Sequence, residues 1–455
     1  MLYVIYNLVL LLAFPIIIVL LLTKKRCQRG VLSRLGAVPE QLEMLRPPVI
    51  WIHAASLGEV TAIIPLLRQM KERYPHCSLL VSTVTETGRE KVMMQLEGIA
   101  SHCYAPIDIR WAVERYVRTL RPQLFILVEA EFWPNLLKSL QRHHVPICLV
   151  NGRVSSRSFS RYVWVKGFMA QVLSCLDMAL MQSRVDAERM RTLRANSQSV
   201  YVTGNMKFDQ TIEKTDSRYS NEALRMALGL HSEEVVLVAG STHPKEEECL
   251  LRAYRDLVQS HPKIVLIMAP RHVERALALE AVIQQHQLTC VRRSQLTSMV
   301  AEKNGARVIL LDSRGELPYV YRLGFLGFVG GTLVPIGGHN LLEPAHWAKP
   351  VIFGPYIDHC REMAQLLLEE GGAIQIHNQA DLLSHMIHLL DHPIESEQMG
   401  QRAFAVVQQH RGVTARNLQW IDQLLGGQQS PSASHVMNRS SQVESKEFST
   451  EGSHS

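Results

Sequence analysis

This sequence predicts two doubly wound α/β domains behind an N-terminal helix that spans a membrane. Three observations carry the prediction. Short apolar runs alternate with stretches of helical periodicity in two successive sets. A polar, charged stretch around residues 211–221 separates the sets. Residues 2–22 carry no charge.

The N-terminal run is long enough to cross a bilayer, which takes about 20 apolar residues as a helix. Asn7 is its only strongly polar side chain, and Pro15 is a kink that membrane helices tolerate. The basic residues Lys24, Lys25, Arg26, Arg29 and Arg34 follow the run and none precedes it, so the positive-inside rule puts the body in the cytoplasm and the N-terminus outside. A cleaved signal peptide would place positive charge first and end on small residues, so the expectation is an uncleaved anchor. A hydrophobic helix lying in the interface is the competing reading.

The first domain is expected over residues 30–210. It opens on Pro47-Pro-Val-Ile-Trp-Ile52, which reads as a buried strand, and the helical spacing of Val60, Ile63, Ile64, Leu67 and Met70 follows it. Between them lies His53-Ala-Ala-Ser-Leu-Gly58. Ser56 can cap the helix, with Glu59 three residues on as the partner in a capping box. Glu59 also stands at the carboxyl end of the first strand, where open α/β sheets place their ligand crevice, and a carboxylate there can act as a general base. The residues leave both readings open. Further strands are expected at 79–84, 123–128, 146–150, 178–182 and 200–202, with helices at 85–95 and 134–143.

The second domain is expected over residues 222–425, with strands at 235–239, 264–269, 308–311, 324–329 and a last one at 350–353. Gly330-Gly331 and Gly337-Gly338 surround a loop before a helix at 340–347. A helix start offers free N–H groups to a phosphate, and Glu343 in its first turn can accept hydrogen bonds from a ribose. Turn-forming glycines and a carboxylate favouring the helix dipole are the structural alternative. Residues 427–455 are rich in Ser, Gln and Glu without apolar periodicity, as expected of a disordered tail.

The chain has 455 residues, 47% hydrophobic and 20% charged, which suits two ordinary domains. Its formal net charge of +6 fits an anionic substrate or membrane surface and gives no reason to expect nucleic acid. The eight cysteines form no Cys-x-x-Cys pair, so neither a zinc site nor a disulfide framework is expected. Two α/β domains joined by a linker place the ligand in a cleft between them.

Five ordered motifs narrow the reading. They are Ala55-Ser-Leu-Gly-Glu-Val60, Glu129-Ala-Glu-Phe-Trp-Pro-Asn135, Gly204-Asn-Met-Lys-Phe-Asp209, Pro270-Arg-His272 and Gly337-Gly-His-Asn-Leu-Leu-Glu-Pro344. Together they resemble the 3-deoxy-D-manno-octulosonic acid (Kdo) transferases of lipid A biosynthesis, over roughly residues 2–426. The resemblance implies a GT-B fold, with two Rossmann-like domains about a central cleft. It implies CMP-Kdo as donor, bound by the C-terminal domain. The acceptor would be the tetra-acylated lipid A precursor, bound by the N-terminal domain at the inner membrane, with anionic lipids as neighbours.

The resemblance also implies roles. Glu59 becomes the general base, and Glu131 and Lys207 support the transition state. Pro270, Arg271, Arg314, Gly315, Glu316, Asn340, Leu341, Leu342 and Glu343 line the CMP site. No cofactor and no metal is expected, since cations and helix termini can meet the charge on the leaving phosphate. His272 and His339 receive no role. Each residue has a plain structural alternative: Glu131 as a helix-start charge, Lys207 as a solvated loop residue, Arg271 as half of a surface ion pair. The alternatives for the whole chain are a UDP-sugar transferase or epimerase of the same architecture, and a non-catalytic sugar binder.

Overall fold

The structure, a computed structural model, describes residues 2–23, 29–193, 198–210, 220–296 and 306–426. Lys24, Lys25 and Arg26, most of the expected linker and the whole expected tail lie outside the described residues.

Among the described residues, fourteen strands form two parallel sheets of seven. The first holds β1 (Val49–His53), β2 (Ser78–Thr83), β3 (Ser101–Tyr104), β4 (Leu124–Val128), β5 (Ile147–Gly152), β6 (Met178–Met181) and β7 (Val200–Val202). Their spatial order is β3-β2-β1-β4-β5-β6-β7. The second holds β8 (Val235–Thr242), β9 (Ile264–Pro270), β10 (Cys290–Arg292), β11 (Arg307–Leu310), β12 (Leu326–Val329), β13 (Val351–Phe353) and β14 (Ala373–Gln375). Their order is β10-β11-β9-β8-β12-β13-β14.

Central strands such as β1 and β4 are buried at every residue, as parallel strands covered by helices on both faces must be. Each sheet reverses its winding once, between β1 and β4 in the first and between β8 and β12 in the second. These reversals are where a doubly wound sheet opens a crevice at its carboxyl edge. Three strands go beyond the sequence reading: β3, β10 and β14. The last corrects the expectation that 350–353 ends the second sheet. All three are edge strands of three or four residues, half covered and without an apolar run of their own.

The chain divides into two compact units, one of residues 1–204 plus the chain from Val413, the other Asn205–Gly412. This corrects the expectation that the second domain runs to residue 425. The last described helix, Val413–Gly426, belongs to the first unit. Its Trp420 stacks on Tyr201 with ring centroids 3.9 Å apart, Arg416 Nε donates to the Thr203 carbonyl at 3.0 Å, and Asp422 pairs with Arg73 at 2.6 Å. Lys207, expected in the first domain, falls in the second unit.

The helix Leu2–Thr23 is the one described helix long and apolar enough to cross a membrane, with a mean hydropathy of 2.9. It lies along the first unit. Residues 3, 6, 7, 10, 13, 14, 17, 18 and 21 are its more covered positions, one face at helical spacing. Tyr6 Oη donates to Asp108 Oδ2 at 2.7 Å, and Phe14 meets Trp111 edge-on at 6.2 Å. Leu8, Leu11, Leu12, Ile16 and Val19 face outward, 54–71% exposed, although nothing in an aqueous setting favours so much apolar surface in the open.

Candidate active site

In the first unit the site is built where the sheet reverses. Ser56 ends the loop after β1 in extended conformation and caps the helix Leu57–Arg73, its Oγ accepting from Glu59 N at 3.4 Å. The Glu59 side chain turns back toward the strand. Its Oε2 accepts from Ala55 N and its Oε1 from Ser56 Oγ, both at 2.8 Å. The capping geometry and the position at the strand end are therefore one arrangement.

Glu59 is 6% exposed. Burial, then the nearby Glu129, push its pKa up to about 8, against the two hydrogen bonds that favour the charged form. Glu131 adds to the same repulsion. Three carboxylates thus gather about the carboxyl ends of β1 and β4. Glu131 itself is exposed, and accepts from Trp133 Nε1 at 3.1 Å. Trp133 and Phe132 pack against the core of the unit.

Two residues here escaped the sequence reading. Glu129 stands beside Glu131 in the same motif, and its φ of +60° in the left-handed region is the backbone turn after β4. The alternation of carboxylates in Glu-Ala-Glu was the signal available. His53 ends β1, fully buried, its Nδ1 3.0 Å from Ser82 Oγ and its ring 5.1 Å from that of Trp133. Its Nε2 has no partner among the described residues, and burial pushes its pKa down to about 4.

In the second unit the loops after β8, β9 and β12 converge on the second reversal. Glu246, 1% exposed, opens the helix Glu246–Leu257 and ties two of those loops together. It accepts from His243 N at 2.8 Å, Gly331 N at 2.7 Å and Leu333 N at 3.3 Å. Gly330 has no room for a side chain, since a Cβ would stand 2.3 Å from the Ser241 carbonyl oxygen. Arg271 and His272 follow β9 and are exposed. The Arg271 backbone N–H donates to the Thr242 carbonyl at 2.9 Å, while its guanidinium has no ion-pair partner among the described residues.

The remaining expected donor-site residues are placed unevenly. Asn340 Oδ1 accepts from Leu342 N at 3.2 Å and starts the helix Leu342–His346, a shorter helix than expected. Leu341 and Leu342 point into the core, so only their backbone faces the loop side. Glu343 is half-buried. Pro270 ends β9. Arg314 is exposed and paired with Glu274. Gly315 has a φ of +90°, with nothing near the place a Cβ would take, so backbone conformation rather than space calls for glycine. Glu316 accepts from Arg293 at 3.2 Å and from the Ser313 hydroxyl. Lys207 lies in the short helix Met206–Asp209, its N–H donating to Asn205 Oδ1 at 3.1 Å. Among the described residues no three His, Cys, Asp or Glu side chains are grouped to hold a metal ion.

Two parallel doubly wound units of this kind, each with its crevice at a reversal, define the GT-B class. Solved structures share the fold. S. aureus MnaA bound to UDP aligns with a TM-score of 0.58 at 15% identity, over 83% of this chain and 97% of that one. MurG of Acinetobacter baumannii aligns with a TM-score of 0.50 at 12% identity, over 82% and 99%. Residues 29–210 match the family model of 3-deoxy-D-manno-octulosonic-acid transferase (kdotransferase). The 3-deoxy-D-manno-octulosonic acid transferase of Haemophilus influenzae is 34% identical over 377 residues, 82% of this chain and 86% of the relative. That of Chlamydophila psittaci is 31% identical over 352 residues, 76% and 78%. The chain belongs to the Kdo transferase family. It is a glycosyltransferase, and the group it transfers in lipopolysaccharide synthesis is Kdo.

Proposed function

We propose that this enzyme transfers Kdo from CMP-Kdo to a hydroxyl of the tetra-acylated lipid A precursor, lipid IVA. The transfer inverts the anomeric centre and needs neither cofactor nor metal. Glu59 is the general base. A sugar hydroxyl is a poor nucleophile until its proton is accepted, and a positioned base is typically worth about 10²–10⁴-fold. The observation that carries the reading is the buried Glu59 carboxyl at the first reversal, pressed toward higher proton affinity by Glu129 and Glu131. A carboxyl with raised proton affinity is the stronger base once ionised. Glu131 and Lys207 support the transition state, and Pro270, Arg271, Arg314, Gly315, Glu316 and Asn340 to Glu343 serve the donor. Incubating the purified protein with CMP-Kdo and lipid IVA, followed by mass spectrometry of the lipid, tests it. Lipid that gains no Kdo overturns it.

The same reading anchors the enzyme in the inner membrane by its N-terminal helix, as a single pass with the catalytic body on the cytoplasmic face. A hydrocarbon core of about 30 Å would carry Tyr3 and Tyr6 away from the body, so insertion opens their contacts with Asn135 and Asp108. Anionic lipids are the expected neighbours. In support, Arg110, Lys138 and Arg142 of the body stand about one pocket, and this basic group remains once insertion has taken Tyr3 away from it.

A further inference from the structure

The loops at the second reversal carry imidazoles that the reading above leaves idle. His243 and His339 face each other Nε2 to Nε2 at 2.8 Å, with ring centroids 5.1 Å apart and planes 10° from parallel. Two facing neutral imidazoles can share one proton only if one donates and the other accepts. His272 stands edge-on to His243 at 6.1 Å.

The charges around the pair are nearly all of one sign. His339 faces Arg271, His243, His359 and His272. His243 faces His272, Glu247, Arg271 and Arg275. The carboxylates at hand are engaged. Glu246 accepts from three backbone N–H groups, and Glu247 pairs with Arg275 at 2.9 Å and accepts from the Thr242 hydroxyl at 3.2 Å. Burial first, then the neighbouring cations, push the His339 imidazole down to about 3, and burial and His272 lower that of His243. The cluster therefore has a place for negative charge that the described residues do not fill. An anion arriving there removes the penalty on the protonated form.

We propose that His243 and His339, with Arg271, form an anion pocket that takes a proton from solvent as it binds the phosphate of a nucleotide. This rests on the reading of CMP-Kdo as donor. During transfer the bond between the anomeric carbon and the phosphate oxygen breaks, and the electron pair stays on oxygen. CMP leaves with one more negative charge than the phosphodiester had. The protonated pair donates a hydrogen bond to that phosphate, the acceptor's proton goes to Glu59, and the imidazolium proton returns to water when CMP departs. The contribution is largest on the acid side of neutrality and fades as pH rises, because the proton is then harder to take up.

The test is calorimetric titration of the full-length protein with CMP at about pH 6.5, in two buffers of different ionisation heat, where an unperturbed imidazole titrates. Wild type should take up more protons per CMP than His243→Asn or His339→Asn. Each variant should bind CMP about tenfold more weakly there, the loss expected of one charge-assisted hydrogen bond, and nearly as well as wild type above about pH 8. Uncharged cytidine should bind all three proteins alike, which also reports an intact loop. Equal proton uptake in the three proteins overturns the proposal. So does loss of cytidine binding in the variants, which would make the imidazoles a structural support. If wild type binds neither CMP nor cytidine, the donor-site reading falls first and the pocket with it.

Discussion

Replacing Glu59 by Gln separates the chemistry of this side chain from its place in the fold. In the structure its two oxygens accept one hydrogen bond each, from Ala55 N and from Ser56 Oγ. A glutamine oxygen can keep the Ala55 bond. Its amide N–H₂ then faces Ser56 Oγ, a hydroxyl that accepts as readily as it donates. The cap survives and the repulsion from Glu129 and Glu131 disappears, so the cost to folding should stay below about 1 kcal/mol. Proton acceptance is lost altogether. Turnover should fall by about 10²–10⁴-fold, or about 3–5 kcal/mol in the barrier, with CMP affinity unchanged.

The pH profile gives a second handle. With a folded pKa of about 8, the base is ionised only as pH rises through that value, so kcat/KM of the free enzyme should climb to a plateau above it. Stability runs the other way. A carboxyl raised from its ordinary 4.5 contributes stability that is fully present below that value and is lost as pH rises toward about 8. The glutamine variant should lack both dependences. The assays are lipid mass spectrometry for turnover, calorimetry with CMP, and thermal unfolding across pH. A well-folded Glu59→Gln enzyme turning over at near wild-type rate would refute the assignment.

Three further outcomes are expected. Arg271→Ala should weaken CMP binding by about tenfold or more, because a guanidinium with no carboxylate partner among the described residues is lost from the proposed donor site; unchanged affinity in calorimetry would return Arg271 to a surface role. Protein lacking residues 1–22 should fold, bind CMP, and leave anionic vesicles on a high-salt wash, whereas the full chain should stay bound; sedimentation decides, and a full chain that washes off with salt lies on the surface instead of spanning. Glu234→Ala should destabilise the second unit by about 3–5 kcal/mol, because Arg307 would be left as a buried cation without its carboxylate; the side chains are 6% and 4% exposed, and an unchanged thermal transition would mean water reaches the pair.

The sequence shows most of the central architecture because central parallel strands must be apolar on both faces. Ile50, Trp51 and Ile52 announce themselves, whereas Cys290–Arg292 does not, since a three-residue edge strand needs only backbone partners. Motifs singled out Glu59 and the loops at the second reversal. They could not report that Glu129 presses on Glu59, that Glu246 ties two loops, or that His243 meets His339, because these depend on distances between segments far apart in the chain. Leu341 and Leu342 show the converse: a motif names a contiguous run, while alternate duties within it, core for one atom and loop for another, are settled by packing.

The return of the last helix to the first unit has a consequence for how the chain is made. The second unit is an insertion within the first, complete in one uninterrupted stretch from Asn205 to Gly412. Emerging from the ribosome, it has all its residues while the first unit still lacks the helix that packs on part of Leu57–Arg73, the helix whose first turn holds Glu59. Domains generally fold as units during synthesis, N-terminal first. Here that order is inverted: the half that begins the protein is the last to close, and a stop codon just after Gly412 would spare the later half while leaving the earlier one unfinished.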